Sequence, residues 1–276
     1  MAKKAFLIDV DRCNGCHNCQ IACKDEHVEN EWLPYAKPQP DTGQFWCKVE
    51  EEVCGRTPHV RVRYLPTQCN HCDEAPCMKN CDALYKRDDG LVILDPEKSK
   101  GKKEIVDSCP YGAIYWNDEL EIPQKCTGCA HLLDDGWAVP RCVDACCTGA
   151  LRFGEEEEFA EELKNAVVLQ PELGTSPRVY YLNMPKRFVA ATVVDIDEDE
   201  VVEGAEVILQ RASDGEVVLS SHTDEFGDVW LENVEPESYT MWLKKEGYLD
   251  QPVEVDLTKK DQAFPELQFF KAPERA

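Results

Sequence analysis

All 16 cysteines of this 276-residue chain lie in residues 1–150, and residues 151–276 hold none. So one-sided a distribution marks a domain boundary, and it limits what the first part can fold around. An even number of thiols can pair as disulfides, but disulfides need an oxidising compartment. The opening MAKKAFLIDVDRC has two lysines and only a short apolar stretch before Asp9. A secretory leader needs roughly 7–15 apolar residues there and a small-residue cleavage site. The reading is therefore a cytoplasmic chain, and thiols held in a reducing compartment point to metal.

The spacing selects the metal. Cys13-x2-Cys16-x2-Cys19-x3-Cys23 puts three thiols on a loop able to wrap three corners of a cubane. The fourth falls at the start of a helix, QIACKDEHVENEW, about a turn away and directed elsewhere. This is the two-cluster ferredoxin spacing, in which the fourth cysteine ligates the other cluster. Zinc favours two separated Cys-x-x-Cys hooks. Two further groups, Cys69-x2-Cys72-x4-Cys77-x3-Cys81 and Cys126-x2-Cys129-x12-Cys142-x3-Cys146, repeat the pattern with variation. A lone Cys109 precedes Pro110, in the form of a ferredoxin's fourth cysteine. Such repetition indicates duplicated ferredoxin units in an α+β fold.

Charge and hydropathy remove other classes. With 54 acidic and 30 basic residues the net charge is −24, which argues against nucleic acid and against an anionic membrane surface. Residues 1–150 carry −7 of this and residues 151–276 carry −17. No apolar run approaches the ~18 residues of a spanning helix, and the mean hydropathy is −0.48. Direct membrane insertion is not expected. A 43% hydrophobic content still suffices for a packed core. The chain shows no nucleophile elbow, phosphate-cradling loop, dinucleotide fingerprint or His-Glu-x-x-His, so no catalytic residue is assigned to it.

Along the chain, residues 5–8 (AFLI) read as a strand entering the first thiol loop. Residues 90–95 (GLVILD) read as another, followed by a helix over PEKSKGKKEIVDSC and a strand near AIYW. Residues 1–150 form the ferredoxin-like domain, and residues 151–187 a connector with a short helix over FAEELKNAVV. Residues 188–276 form a seven-stranded antiparallel β-sandwich, because seven short apolar strands alternate there with turn sequences. The stretch from VEGAEVILQR to YTMWLKKEGY resembles prealbumin-like and carboxypeptidase-regulatory-like domains, which implies a structural role.

The cysteine motifs, with WNDELEIPQKCTGCAHLLDDG and PELGTSPRVYYLN, resemble the iron–sulfur electron-transfer subunits of molybdopterin oxidoreductases of the dimethyl sulfoxide reductase family. That family has four cysteine motifs and four [4Fe–4S] clusters. Here the third motif keeps only Cys109, as in the small subunits of the polyphenol transhydroxylases and related catechol dehydroxylases. The resemblance implies three [4Fe–4S] clusters. Cys13, Cys16, Cys19 and Cys146 would hold the first. Cys126, Cys129, Cys142 and Cys23 would hold the second, and Cys69, Cys72, Cys77 and Cys109 the third. Cys47, Cys54, Cys81 and Cys147 are left over. Cys81 is expected to be a buried free thiol, the rival being that Cys81 closes the third cluster in place of Cys109.

The resemblance further implies a large catalytic subunit as partner, in a heterodimer or a multiple of one. That subunit would hold molybdenum or tungsten on bis-molybdopterin guanine dinucleotide, and its substrate would be phenolic. Rival readings are a free-standing polyferredoxin and a respiratory subunit docked to a membrane anchor, co-exported with a signal-bearing large subunit. Around the clusters, His17, His71 and His131 are expected beside the clusters or at the surface rather than as ligands. Tyr111, Tyr115 and Trp116 are expected in the core or an interface. Lys125 and Arg141, each just before a ligand cysteine, are candidates to raise a cluster's potential. The acidic run at residues 155–158 reads as a solvated helix start.

Overall fold

A strand buried on both faces needs apolar residues at every position rather than at alternate ones, and AFLI meets that demand. It lies in β1 (Lys4–Asp9) of the computed structural model, which describes residues 3–79 and 81–273. Phe6 and Ile8 face one core, while Ala5 and Leu7 face another that includes Phe159. The chain then passes through the first thiol loop into α1 (Asn18–His27). A long hairpin follows, β2 (Cys47–Arg56) with β3 (His59–Gln68). Two short hairpins come next, β4 (Leu84–Lys86) with β5 (Val92–Leu94), and β6 (Tyr115–Asn117) with β7 (Ile122–Gln124). Two short helices, α2 (Ala130–Asp134) and α3 (Arg141–Asp144), lead to β8 (Leu151–Glu155). β8 pairs antiparallel with β1, and β9 (Val179–Leu182) pairs parallel with its other edge.

Residues 151–187 are therefore not a plain connector. Alternate residues of β8 and β9 are buried, so both strands have one face for the core and close a sheet around β1. The helix expected over FAEELKNAVV is instead two 3-10 turns, Glu156–Phe159 and Glu162–Lys164. Phe159 is the one buried side chain in that stretch, too little apolar contact to sustain a longer helix. The helix expected after GLVILD is likewise reduced to a 3-10 segment, Lys103–Ser108, because Gly101 turns the backbone at φ 76.

The chain divides into two units, Met1–Glu51 with Tyr64–Met184, and Glu52–Arg63 with Pro185–Ala276. The tip of the β2–β3 hairpin thus leaves the domain that the sequence assigned to residues 1–150. Within the second unit, Cys54 packs with Phe188 and Ala190, and Arg63 makes a two-point ion pair to Asp261 at 2.8 and 2.9 Å.

The second unit continues through β10 (Arg187–Asp195), β11 (Glu200–Val201), β12 (Glu206–Arg211), β13 (Val217–His222), β14 (Asp228–Val234), β15 (Ser238–Lys244), β16 (Gln251–Asp256) and β17 (Gln262–Phe269). Two four-stranded sheets result, one of β10, β11, β14 and β17, the other in the order β13-β12-β15-β16. Their inward residues, such as Val207, Leu209, Leu231, Met241 and Leu243, form one core. Two features correct the expected sandwich. A two-residue strand, β11, brings the number to eight. The sandwich is also not wholly antiparallel, since β17 runs parallel to β10. After β16 the chain crosses between the sheets, so it arrives beside β10 in the same direction.

Candidate iron–sulfur sites

Three Cys-x-x-Cys turns begin the thiol loops, and each bends at the residue just before its second cysteine. That residue is Gly15 at φ 69, His71 at φ 44 and Gly128 at φ 63. The two glycines are required by sign of φ and by space. A Cβ at position 15 would lie 2.3 Å from the Tyr64 ring, and one at 128 would lie 2.8 Å from Leu91. His71 keeps a side chain in this left-handed region, which costs about 1–3 kcal/mol.

The helices bring in the remaining donors. Cys19 and Cys23, four residues apart, share one face of α1 and are both buried. Cys142 is buried on α3, which packs against α1. Three four-thiol groups result. Cys13 lies against Cys16, Cys19 and Cys146. Cys23 lies against Cys126, Cys129 and Cys142. Cys69, Cys72, Cys77 and Cys109 line one cavity. Cys69 also neighbours Cys126, and buried Cys47 faces both Cys19 and Cys142, so the groups follow one another first, second, third.

Of the surplus thiols, Cys147 is exposed, with its Sγ 3.9 Å from Cys16 Sγ. Cys54 belongs to the second unit. Cys81 is half-buried rather than buried as expected, and it does not line the third cavity. Cys77 itself lies in the short turn Pro76–Met78, and Cys81 follows that turn.

Burial pushes Cys72 up to about 11 and both Cys77 and Cys126 up to about 12. Such thiols stay protonated until a metal takes up the negative charge. Among the described residues, no three His, Cys, Asp or Glu side chains converge as a single bound ion would need. Around a four-iron cube each cysteine takes a different iron, so its donors stand apart around a void.

The residues lining the third cavity fit such a group. Val92 N–H donates to His71 Nδ1 at 3.0 Å, so the ring's hydrogen sits on Nε2. Nε2 is buried and has no partner among the described residues. Lys125, only 2% exposed, donates to the carbonyls of Val92 and Cys126 at 2.5 and 2.7 Å. Among the described residues it makes no ion pair. An orphaned N–H donor and an unpaired ammonium beside four thiols suit a cofactor of net negative charge.

Sequence comparisons agree with this chemistry. A family model described as a 4Fe-4S dicluster domain matches residues 60–156. The small subunit of pyrogallol hydroxytransferase from Pelobacter acidigallici is 40% identical over 97% of this chain and 100% of its own. One of the subunits of tetrathionate reductase from Salmonella typhimurium is 35% identical, over 67% of this chain and 74% of its own. One of the subunits of sulfite dehydrogenase from Allochromatium vinosum is 33% identical, over 73% and 89% respectively. The chain belongs to the iron–sulfur subunits of the molybdopterin oxidoreductases. Among the described residues of this iron–sulfur subunit, no helix is long and apolar enough to cross a membrane.

Other expected neighbours of the clusters take quieter places in the iron–sulfur subunit. His17 pairs with Glu51 at 2.9 Å, and His131 with Glu26 at 3.0 Å. Arg141 shares Glu26 at 2.9 Å, so unlike Lys125 its charge is already answered. Tyr111 shares a hydrogen bond with Thr175 at 2.6 Å, while Tyr115 and Trp116 lie on β6. The acidic run is not wholly solvated, since Glu156 accepts from Tyr180 at 2.6 Å and Arg178 at 3.1 Å. Sequence reasoning missed the equivalence of Gly15, His71 and Gly128, although aligning CNGC, CNHC and CTGC exposes it. Cys47 stands outside every motif, and no spacing signals its place.

Proposed function

We propose that this subunit carries three [4Fe–4S] clusters on the three four-thiol groups. They exchange electrons with a molybdenum or tungsten centre, held by bis-molybdopterin guanine dinucleotide in a large catalytic subunit. What supports this reading is the nearness of Cys13 to Cys16, Cys19 and Cys146, the nearness of Cys23 to Cys126, Cys129 and Cys142, and the lining of one cavity by Cys69, Cys72, Cys77 and Cys109 but not Cys81. When bound, each cluster supplies one-electron transfer. The chain's own residues position the thiols, exclude water and supply donors to the third site. The loop–helix repeats at residues 13–27 and 126–134 support a duplicated ferredoxin origin for the first unit. Sixteen thiols without a disulfide suit a reducing, cytoplasmic compartment.

The substrate in this reading is phenolic, undergoing either hydroxyl transfer between polyphenols or reductive removal of a catechol hydroxyl. Its support is 40% identity, over 97% of the chain, to a small subunit named for pyrogallol hydroxytransfer.

The test is anaerobic native purification through a tag on this chain, with metal analysis and identification of what comes with it. About twelve irons per chain, about one molybdenum or tungsten, and a co-purifying large subunit are expected. Iron near sixteen would overturn the three-cluster reading, and similar iron without partner or molybdenum would indicate a free carrier. Activity on polyphenols then tests the substrate class.

A further inference from the structure

His71 and Lys125 are two buried polar side chains in the wall of the third cavity. The first and second thiol loops place glycine at the position that His71 occupies in the third. Glycine adopts positive φ without strain, so retaining an imidazole there asks for something the ring does. Its Nδ1 is committed as acceptor to Val92 N–H at 3.0 Å. For Nε2 to ligate iron it would have to lose its hydrogen too, leaving an imidazolate in a buried site. Nε2–H is therefore a donor, and within the protein it has no acceptor among the described residues.

Lys125 poses the matching problem in charge. An ammonium removed from water is costly unless an opposite charge answers it. Here its partners are two neutral carbonyls, of Val92 and Cys126, and it lines the same cavity as Cys69, Cys72, Cys77 and Cys109. Val92 links the two side chains, giving its N–H to His71 and its carbonyl to Lys125. Within the wall, the negative charge able to answer Lys125 is that of the four thiolates and whatever they hold.

We propose that His71 Nε2–H and the Lys125 ammonium stabilise the reduced form of the third cluster and raise its potential. This rests on the three-cluster reading. Reduction adds one electron to the cluster, received from or returned to the neighbouring second site, with no bond made or broken in the protein. Positive charge and hydrogen bonds to the sulfurs favour the state that has gained the electron.

The test is an EPR-monitored redox titration of the holo-complex purified with its large subunit, with iron analysis. The third cluster's signal is identified as the one that Cys72→Ala removes. Lys125→Met and His71→Phe keep about twelve irons, and each lowers the third cluster's one-electron reduction equilibrium at least tenfold, about 59 mV. The other two signals stay in place, and Lys125→Arg stays near wild type. If Lys125→Met loses the third cluster while Lys125→Arg keeps it, the charge requirement still holds. Loss in both, or twelve irons with unmoved potentials in Lys125→Met and His71→Phe, overturns the inference alone. A wild-type complex with about eight irons overturns the three-cluster reading, and this inference with it.

Discussion

Cys81 and Cys109 are both half-buried thiols of one core cluster, yet only Cys109 lines the third cavity. Spacing alone made them rivals, because either can follow a Cys-x-x-Cys turn as a fourth ligand. The fold separates them by bringing Cys109, from a distant stretch of chain, onto the cavity wall that Cys81 does not line. Cys109→Ser should lower iron by about four per chain, and Cys81→Ser should leave it unchanged. The opposite pattern in metal analysis of the two purified variants would reverse the assignment.

At the scale of elements, the three-stranded sheet depends on β1 being apolar on both faces. Leu7 is fully buried on the face away from the thiol groups. Leu7→Ala should cost about 2–5 kcal/mol in denaturant unfolding of the full chain; a cost under about 1 kcal/mol would mean that β1 is not central. In the second unit, Asp195 closes the end of β10. It accepts from Tyr248 Oη at 2.7 Å and from the backbone N–H groups of Asp197 and Glu198 at 2.9 and 3.2 Å. The Tyr248 hydrogen bond, chiefly, holds this carboxyl down at about 2, against roughly 3.9 in an unfolded chain. A depressed folded value stabilises above the unfolded value and loses that stabilisation as pH falls through the folded one. The wild type should therefore lose its stability advantage over Asp195→Asn between about pH 4 and pH 2. A difference constant over that range would refute the role given to Asp195.

For the molecule as a whole, thiols and apolar side chains are differently shared. The cores of the first unit include Cys19, Cys23, Cys69, Cys126 and Cys142, whereas the main core of the sandwich is built of aliphatic and aromatic residues. Metal bound at such thiols contributes to folding as well as to function. Stripping iron anaerobically with a chelator should accordingly raise hydrogen exchange in β1 and α1 while β12 and β15 keep their protection. Uniform loss across both units would show that the sandwich also depends on the clusters.

The sequence by itself determined the cofactor class, since three thiols at intervals of three can wrap a cube only as a loop, whatever surrounds them. It also determined seven of the eight strands of the sandwich, where alternation records which face is buried. It did not determine that β8 and β9 close a sheet on β1, because pairing partners are chosen by packing across distant sequence. The same holds for β17 running parallel to β10, which depends on where the chain crosses between sheets. The choice between Cys81 and Cys109 as a wall of the cavity was likewise made in three dimensions. So was the absence of an ion pair at Lys125 among the described residues, its partners being two carbonyls. A lysine beside a ligand cysteine reads the same in sequence whether its charge is answered, as that of Arg141 is by Glu26, or left for a cofactor. Only burial and the positions of neighbouring charges distinguish the two.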